Sequence, residues 1–161
     1  MEYREAKLNR SFIVKFDHGE DVLAGIKAVV QKEKIEAGLI FLVGALSAAK
    51  MVTGPERQEI PPEPHWVAFD DGREILAIGT IFREGDEPKL HLHSAAGRGD
   101  HTFAGCIREN GKVFLIVEAV ILELTGSGAV REFDQASQLS LLSFRSTASN
   151  PKSKIENPKS P

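Results

Sequence analysis

The chain holds a single cysteine, Cys106, with one tryptophan and one tyrosine. One cysteine cannot close an internal disulfide, so Cys106 is either a small core side chain or a chemical one such as a metal ligand. Long apolar runs are missing too. The longest, Gly38 to Ala49, is about a dozen residues, well short of the roughly 20 a helical membrane span requires. The opening MEYREAKLNR is charged from its second residue and shows neither the apolar stretch nor the small-residue cleavage site of a secretory signal. A cytoplasmic protein with no membrane partner is therefore expected. Positive charge is in slight deficit, 20 lysines and arginines against 23 acids. The overall charge of −3 includes +2 from residues 146–161, where Lys152, Lys154 and Lys159 face only Glu156, which leaves about −5 on residues 1–145. An acidic body argues against tight wrapping of duplex nucleic acid, whose binding rests on lysine and arginine contacts to phosphates.

What is present is a composition of 42% hydrophobic and 27% charged residues over 161 positions, that of one ordinary soluble domain. The domain is expected over 1–145. The remainder, 146–161, repeats Asn-Pro-Lys-Ser at 150–153 and 157–160 and has the composition of a disordered Ser/Pro/Lys tail. Phe12, Val14 and Phe16 alternate with Ser11, Ile13 and Lys15 ahead of a turn at Asp17-His18-Gly19, which predicts a first strand. Val22, Leu23, Ile26, Val29 and Val30 then recur at helical spacing and predict one amphipathic helix from about Asp21 to Lys34. The apolar stretch broken at Gly44 suits a buried strand with a bend or bulge, with a helix as the alternative. Four prolines between residues 55 and 66 predict a loop, with His65 and Trp66 packing at its end and a short strand following. Strands are expected over 73–83, 89–96, 101–109 and 112–124, separated by Gly/Asp/Asn turns, and residues 130–144 add a strand and a short apolar piece. These pieces make an α/β (α+β) domain with a mainly antiparallel mixed sheet.

The strand at 112–124 is apolar on both sides. Phe114, Ile116, Val120 and Leu122 share one face, and Val113, Leu115, Val117, Ala119 and Ile121 the other. A single helix covers part of one face, so the other calls for curling of the sheet or a second subunit. Glu118 interrupts the first face and is a candidate catalytic acid or base if it borders an opening.

The stretch KLHLHSAAGRGDHTFAGCIREN, residues 89–110, concentrates the chemistry. Residues two apart on a strand point the same way, so His91 and His93 share a face and can converge on one ion. A four-residue turn at Gly97–Asp100 pairs Ala96 with His101, sets His93 across from Ala104 and sets His91 across from Cys106, while His101 looks the other way. Changing the turn by one residue would replace Cys106 with His101 as the third ligand. Two imidazoles and a thiolate suit a divalent metal, zinc best, with an open fourth position. The competing reading packs Cys106 in the core with nothing bound. Arg98, in the Gly-rich turn, is a candidate anion-binding residue, although the turn lacks the spacing of a phosphate-binding loop.

In their order, the segments GEDVLAGIKAVVQKEKIEAGLIFLVGALSAAKM, PKLHLHSAAG and TFAGCIRENGKVFLIVEAVILEL resemble the PPC (plant and prokaryote conserved) domain in its stand-alone prokaryotic form, over most of residues 3–135. The resemblance implies an antiparallel α/β fold, a homotrimer, and in many prokaryotic members a metal site built on the His-x-His pair and a later histidine in a Gly-Gly-His segment. Here Ala104-Gly105-Cys106 stands at that segment, so the resemblance carries over His91 and His93, with Cys106 in the third place. It also implies a DNA-associated or transcription-related regulator, acting on DNA or through other proteins. The AT-hook that carries DNA contact in plant relatives, Arg-Gly-Arg-Pro, is missing. From a different class, a small metal-dependent enzyme of unknown substrate, with its site at a subunit boundary, would use the ion to activate water, Glu118 as acid or base and Arg98 as anion clamp.

Overall fold

The computed structural model describes residues 1–145 and the backbone of Ser153–Lys154. Apart from those two residues, the tail expected to be disordered, 146–161, lies outside the described residues. In chain order the elements are β1 (Glu2–Tyr3), β2 (Lys7–Asp17), α1 (Val22–Lys32), β3 (Ala37–Pro55), β4 (Pro64–Phe69), β5 (Arg73–Glu84), β6 (Glu87–Arg98), β7 (His101–Thr125), β8 (Ala129–Asp134), β9 (Leu139–Phe144) and β10 (Ser153–Lys154). Every strand pairing is antiparallel. The main sheet runs β2-β7-β6-β5-β3-β4, and β7 also pairs with β3, so β3, β5, β6 and β7 close into a ring of pairings. The short ribbons β8-β9 and β1-β10 stand beside it.

The helix forms where its periodicity predicts. Asp21 caps it, its carboxylate accepting from the Ala24 N–H at 3.0 Å, and Val22, Ile26 and Val30 are buried on the face it turns inward. They pack with Ile40, Leu42, Leu46, Val113, Val117 and Ile121. The helix thus covers the inner face of the sheet and leaves the outer face bare. Gly44 breaks the run as expected. A side chain there would place its Cβ 2.3 Å from the Ile116 carbonyl, and the pairing skips from Gly44↔Val117 to Ala45↔Phe114.

Two expectations are corrected. Residues 101–109 and 112–124 form one strand of 25 residues rather than two. Asn110 takes a left-handed φ of 55°, but one such residue only kinks a strand, and reversal needs a turn of two or more. Leu115, expected on the inner face with Val113 and Val117, is 67% exposed. It occupies the bulge opposite Gly44 at φ 61°, where its N–H donates to His18 Nδ1 at 3.2 Å.

The outer face carries a continuous row across five strands. In register, Ile13, Val120, Phe41, Ile78, His93 and Cys106 lie side by side from β2 to the start of β7. Val43 and Leu76 lie beside that row, and Leu76 is 68% exposed.

Candidate metal centre

β6 pairs with β7 through a turn of two residues, Gly99-Asp100, so Arg98 faces His101 and His93 faces Cys106. The four-residue turn expected from GRGD is therefore corrected, and with it the placing of His91 across from Cys106. Gly99 adopts φ 60°, which lets the strands run on to a tight reversal matched to their twist. The change is an even number of residues. Strand alternation has period two, so the faces are preserved, and Cys106 stays beside the histidines.

His91 Nε2 and His93 Nε2 are 3.0 Å apart, with ring centroids 4.9 Å apart and planes at 75°. One ligand atom from each of His91, His93 and Cys106 can be chosen so that all three lie within 4.8 Å of one another. Ligands of a tetrahedral zinc, with bonds of about 2.0–2.3 Å, lie roughly 3.3–3.7 Å apart. The donor set suits such an ion, and the widest pair would have to close by about 1 Å to hold it. The imidazoles are solvent-accessible, whereas Cys106 is buried. Gly105 makes this possible. A Cβ there would lie 2.3 Å from the Val52 carbonyl and 2.9 Å from Thr53 Cα, so only glycine lets β7 lie this close to β3 next to the thiol.

Loss of hydration, followed by the fields of His93, Arg131 and Arg108, holds the His91 pKa below its ordinary value. A neutral imidazole is the form that ligates a metal. The two arginines were not among the expected site residues. Arg108 follows Cys106 by two on the same strand, so period-two counting could have found it. Arg131 comes from β8, and no local pattern joins it to His91. Its Nη2 lies 3.4 Å from His91 Nδ1 and 3.2 Å from Thr80 Oγ1, and Nη1 donates to the Ser140 carbonyl at 3.3 Å.

The remaining candidates are not brought to the cluster. Arg98 pairs with Asp71 at 3.2 Å at the hairpin tip, so its charge is already answered. His101 stands 3.3 Å from Asp100 and faces away from Cys106. Glu118 lies exposed on the outer face. In register it neighbours Val43, then Leu76, then Ala95, three strand spacings or roughly 14 Å from the histidine strand. His65 and Trp66, expected at a loop end, instead lie exposed within β4, where His65 Nδ1 meets Glu56 at 2.8 Å and Lys50 sits over the indole at 4.3 Å.

The family model described as the Plants and Prokaryotes Conserved (PCC) domain matches residues 3–125. The chain belongs to that family. Among solved PCC-like structures, a plant- and prokaryote-conserved (PPC) protein from Pyrococcus horikoshii is 26% identical, with a TM-score of 0.76 over 89% of this chain and 97% of that one. A metal-containing protein from Archaeoglobus fulgidus is 24% identical, with a TM-score of 0.77 over 88% and 98%. A "putative DNA binding protein" from Bacteroides thetaiotaomicron is 20% identical, with a TM-score of 0.73 over 89% and 98%. Among proteins of curated function, none is significantly similar in sequence. No helix among the described residues is long and apolar enough to cross a membrane.

Proposed function

We propose that this PCC-domain chain is a cytoplasmic, homotrimeric, non-enzymatic module that holds one divalent metal ion, best zinc, through His91, His93 and Cys106. The observation that carries the reading is the convergence of two imidazole nitrogens and a thiol within 4.8 Å, on a hairpin whose register needs no distortion to deliver them. The fold likeness to the metal-containing Archaeoglobus protein agrees with it. The bare apolar row on the outer face supports a trimer, because a lone protomer would leave Phe41, Leu76 and Ile78 in water. A regulatory, DNA-associated role draws on the names of structural neighbours. With about −5 on the domain, association through a protein partner is favoured over direct phosphate contact.

Elemental analysis of untagged protein, purified without added metal, tests the site. Wild type is expected to carry close to one metal per chain, and His91→Ala and Cys106→Ala to carry little. Equal metal in wild type and Cys106→Ala would exclude the sulfur ligand. Binding to duplex DNA at low salt would, if seen, move direct nucleic-acid contact ahead of a protein partner.

One observation favours the enzymatic alternative. An apolar cavity of about 720 Å³ on the outer face is lined by Phe41, Leu76, Ile78, His93 and Cys106 and so borders two of the three candidate ligands. Glu118 could serve it only from a neighbouring subunit, given its distance within its own chain.

A further inference from the structure

On its other side the cluster borders a smaller cavity, about 280 Å³, lined by Lys89, His91, Arg108, Arg131 and Ser140 among others. No carboxylate lines it. Lys89 is answered by Glu84 at 2.9 Å. Neither arginine has such a partner among the described residues. Half-buried Arg131 rests on a hydroxyl, a carbonyl and the Phe82 ring, whose centroid is 5.5 Å from its guanidinium carbon. A divalent ion with one thiolate leaves +1, and the two guanidinium groups raise the local charge to +3. That charge is partly enclosed, where water screens it less than at the open surface. It faces a metal with three protein ligands and a fourth position to fill.

We propose that a small oxyanion, phosphate or carboxylate, fills that position, with one oxygen on the metal and the rest (a single oxygen for a carboxylate) toward the guanidinium groups of Arg108 and Arg131. The inference rests on the metal reading above. Arginine suits the task because its planar donors match the paired oxygens of a carboxylate or phosphate. His91 also pre-arranges it: once Nε2 holds a metal, the ring proton sits on Nδ1, so Arg131 no longer has an acceptor there and its Nη2 turns to the anion. Arg131 lies beyond residues 3–125, the span matched to the family, so the β8-β9 ribbon contributes a charge from outside the matched span.

The test uses full-length protein stripped with a chelator, reloaded with one equivalent of Co²⁺, checked for metal content, and titrated at constant ionic strength with inorganic phosphate and, separately, acetate. The visible d–d bands are expected to shift saturably with at least one anion, and the pair of titrations tells phosphate from carboxylate. Arg108→Gln and Arg131→Gln are expected to keep full cobalt but lose at least about tenfold in anion affinity. Arg108 is exposed, so its variant reports even if Arg131→Gln proves unstable. Unchanged bands with both anions, or wild-type anion affinity in the arginine variants at full cobalt content, would overturn the inference and leave the metal site standing. A chain that takes up no cobalt or zinc overturns both, and the metal assay shows which has failed.

Discussion

At the residue scale, the most buried carboxylate among the described residues is separate from the candidate site. Glu123, on β7, is buried, and its carboxylate accepts from Arg10 at 2.7 and 3.0 Å and from Asn9 at 2.8 Å. Arg10 reaches on to the carbonyl of Glu33 at 2.8 Å, so this one cluster ties β2, β7 and the end of the helix together. The Arg10 hydrogen bond above all, with Asn9, holds the Glu123 pKa below the ordinary carboxylate value. A depressed carboxylate stabilises the fold above its unfolded pKa and ceases to do so as pH falls through its folded one. Glu123→Gln is therefore expected to cost about 1–2 kcal/mol at neutral pH. Because Arg10 is itself 44% exposed, water can take over its solvation and the loss stays in that range. Thermal denaturation across pH should show the two proteins differing above the unfolded carboxylate pKa of about 4.3 and drawing together as pH falls from there through the lower, folded pKa. Parallel curves over that interval would mean the pair contributes nothing to folding.

At the element scale, the β6-β7 hairpin decides whether there is a site at all. Its backbone must pass β3 closely enough to set Cys106 beside His93, and Gly105 permits this. Gly105→Ala would push β7 from β3 at the residue next to the thiol. Metal affinity is expected to fall about 10- to 100-fold, read by competition with a chromophoric chelator, with the fold intact by circular dichroism. Unaltered affinity would mean the thiol is positioned some other way. The hairpin also shows what local pattern can and cannot reveal. Alternation was enough to place His91 and His93 together and to turn His101 away, because a strand has only two faces. The number of residues in the turn was not legible, since Gly-Arg-Gly-Asp can close as two residues or four and the choice lies in the twist of the flanking strands. Nor was the continuity of β7 through Asn110-Gly111, a pair that reads as a turn until β3 is found pairing with both halves. The helix was plain because its apolar spacing and Asp21 cap act within a few residues. Arg131 was hidden because its position depends on how a separate ribbon packs on β5.

At the scale of the whole molecule, the sheet has two apolar faces and, among the described residues, only one helix. The inner face closes over a core. The outer one presents Ile13, Val120, Phe41 and Ile78 in a single line that ends at the histidines. A buried interface on this face would place the metal cluster at its margin. Replacing Ile78 by Asp should disperse the assembly into monomers, as measured by sedimentation at micromolar concentration, because a charge would then be desolvated in each interface. A wild-type protein that sediments as a monomer would remove the trimer and leave the row as a surface for another kind of partner.

The tight turn at Gly99-Asp100 sets a rule for how chains of this kind can vary in length. Lengthening it by two residues slides β7 by one ladder step and still presents Cys106 toward the histidine face, so the cluster can be recovered with a different cross-strand neighbour. If an added residue is instead taken up by the ladder, as a slip of one residue rather than as a longer loop, every side chain on the returning strand swaps face and the sulfur goes into the core. Slips of the ladder here are constrained by parity, whereas residues held in the loop are constrained by size alone.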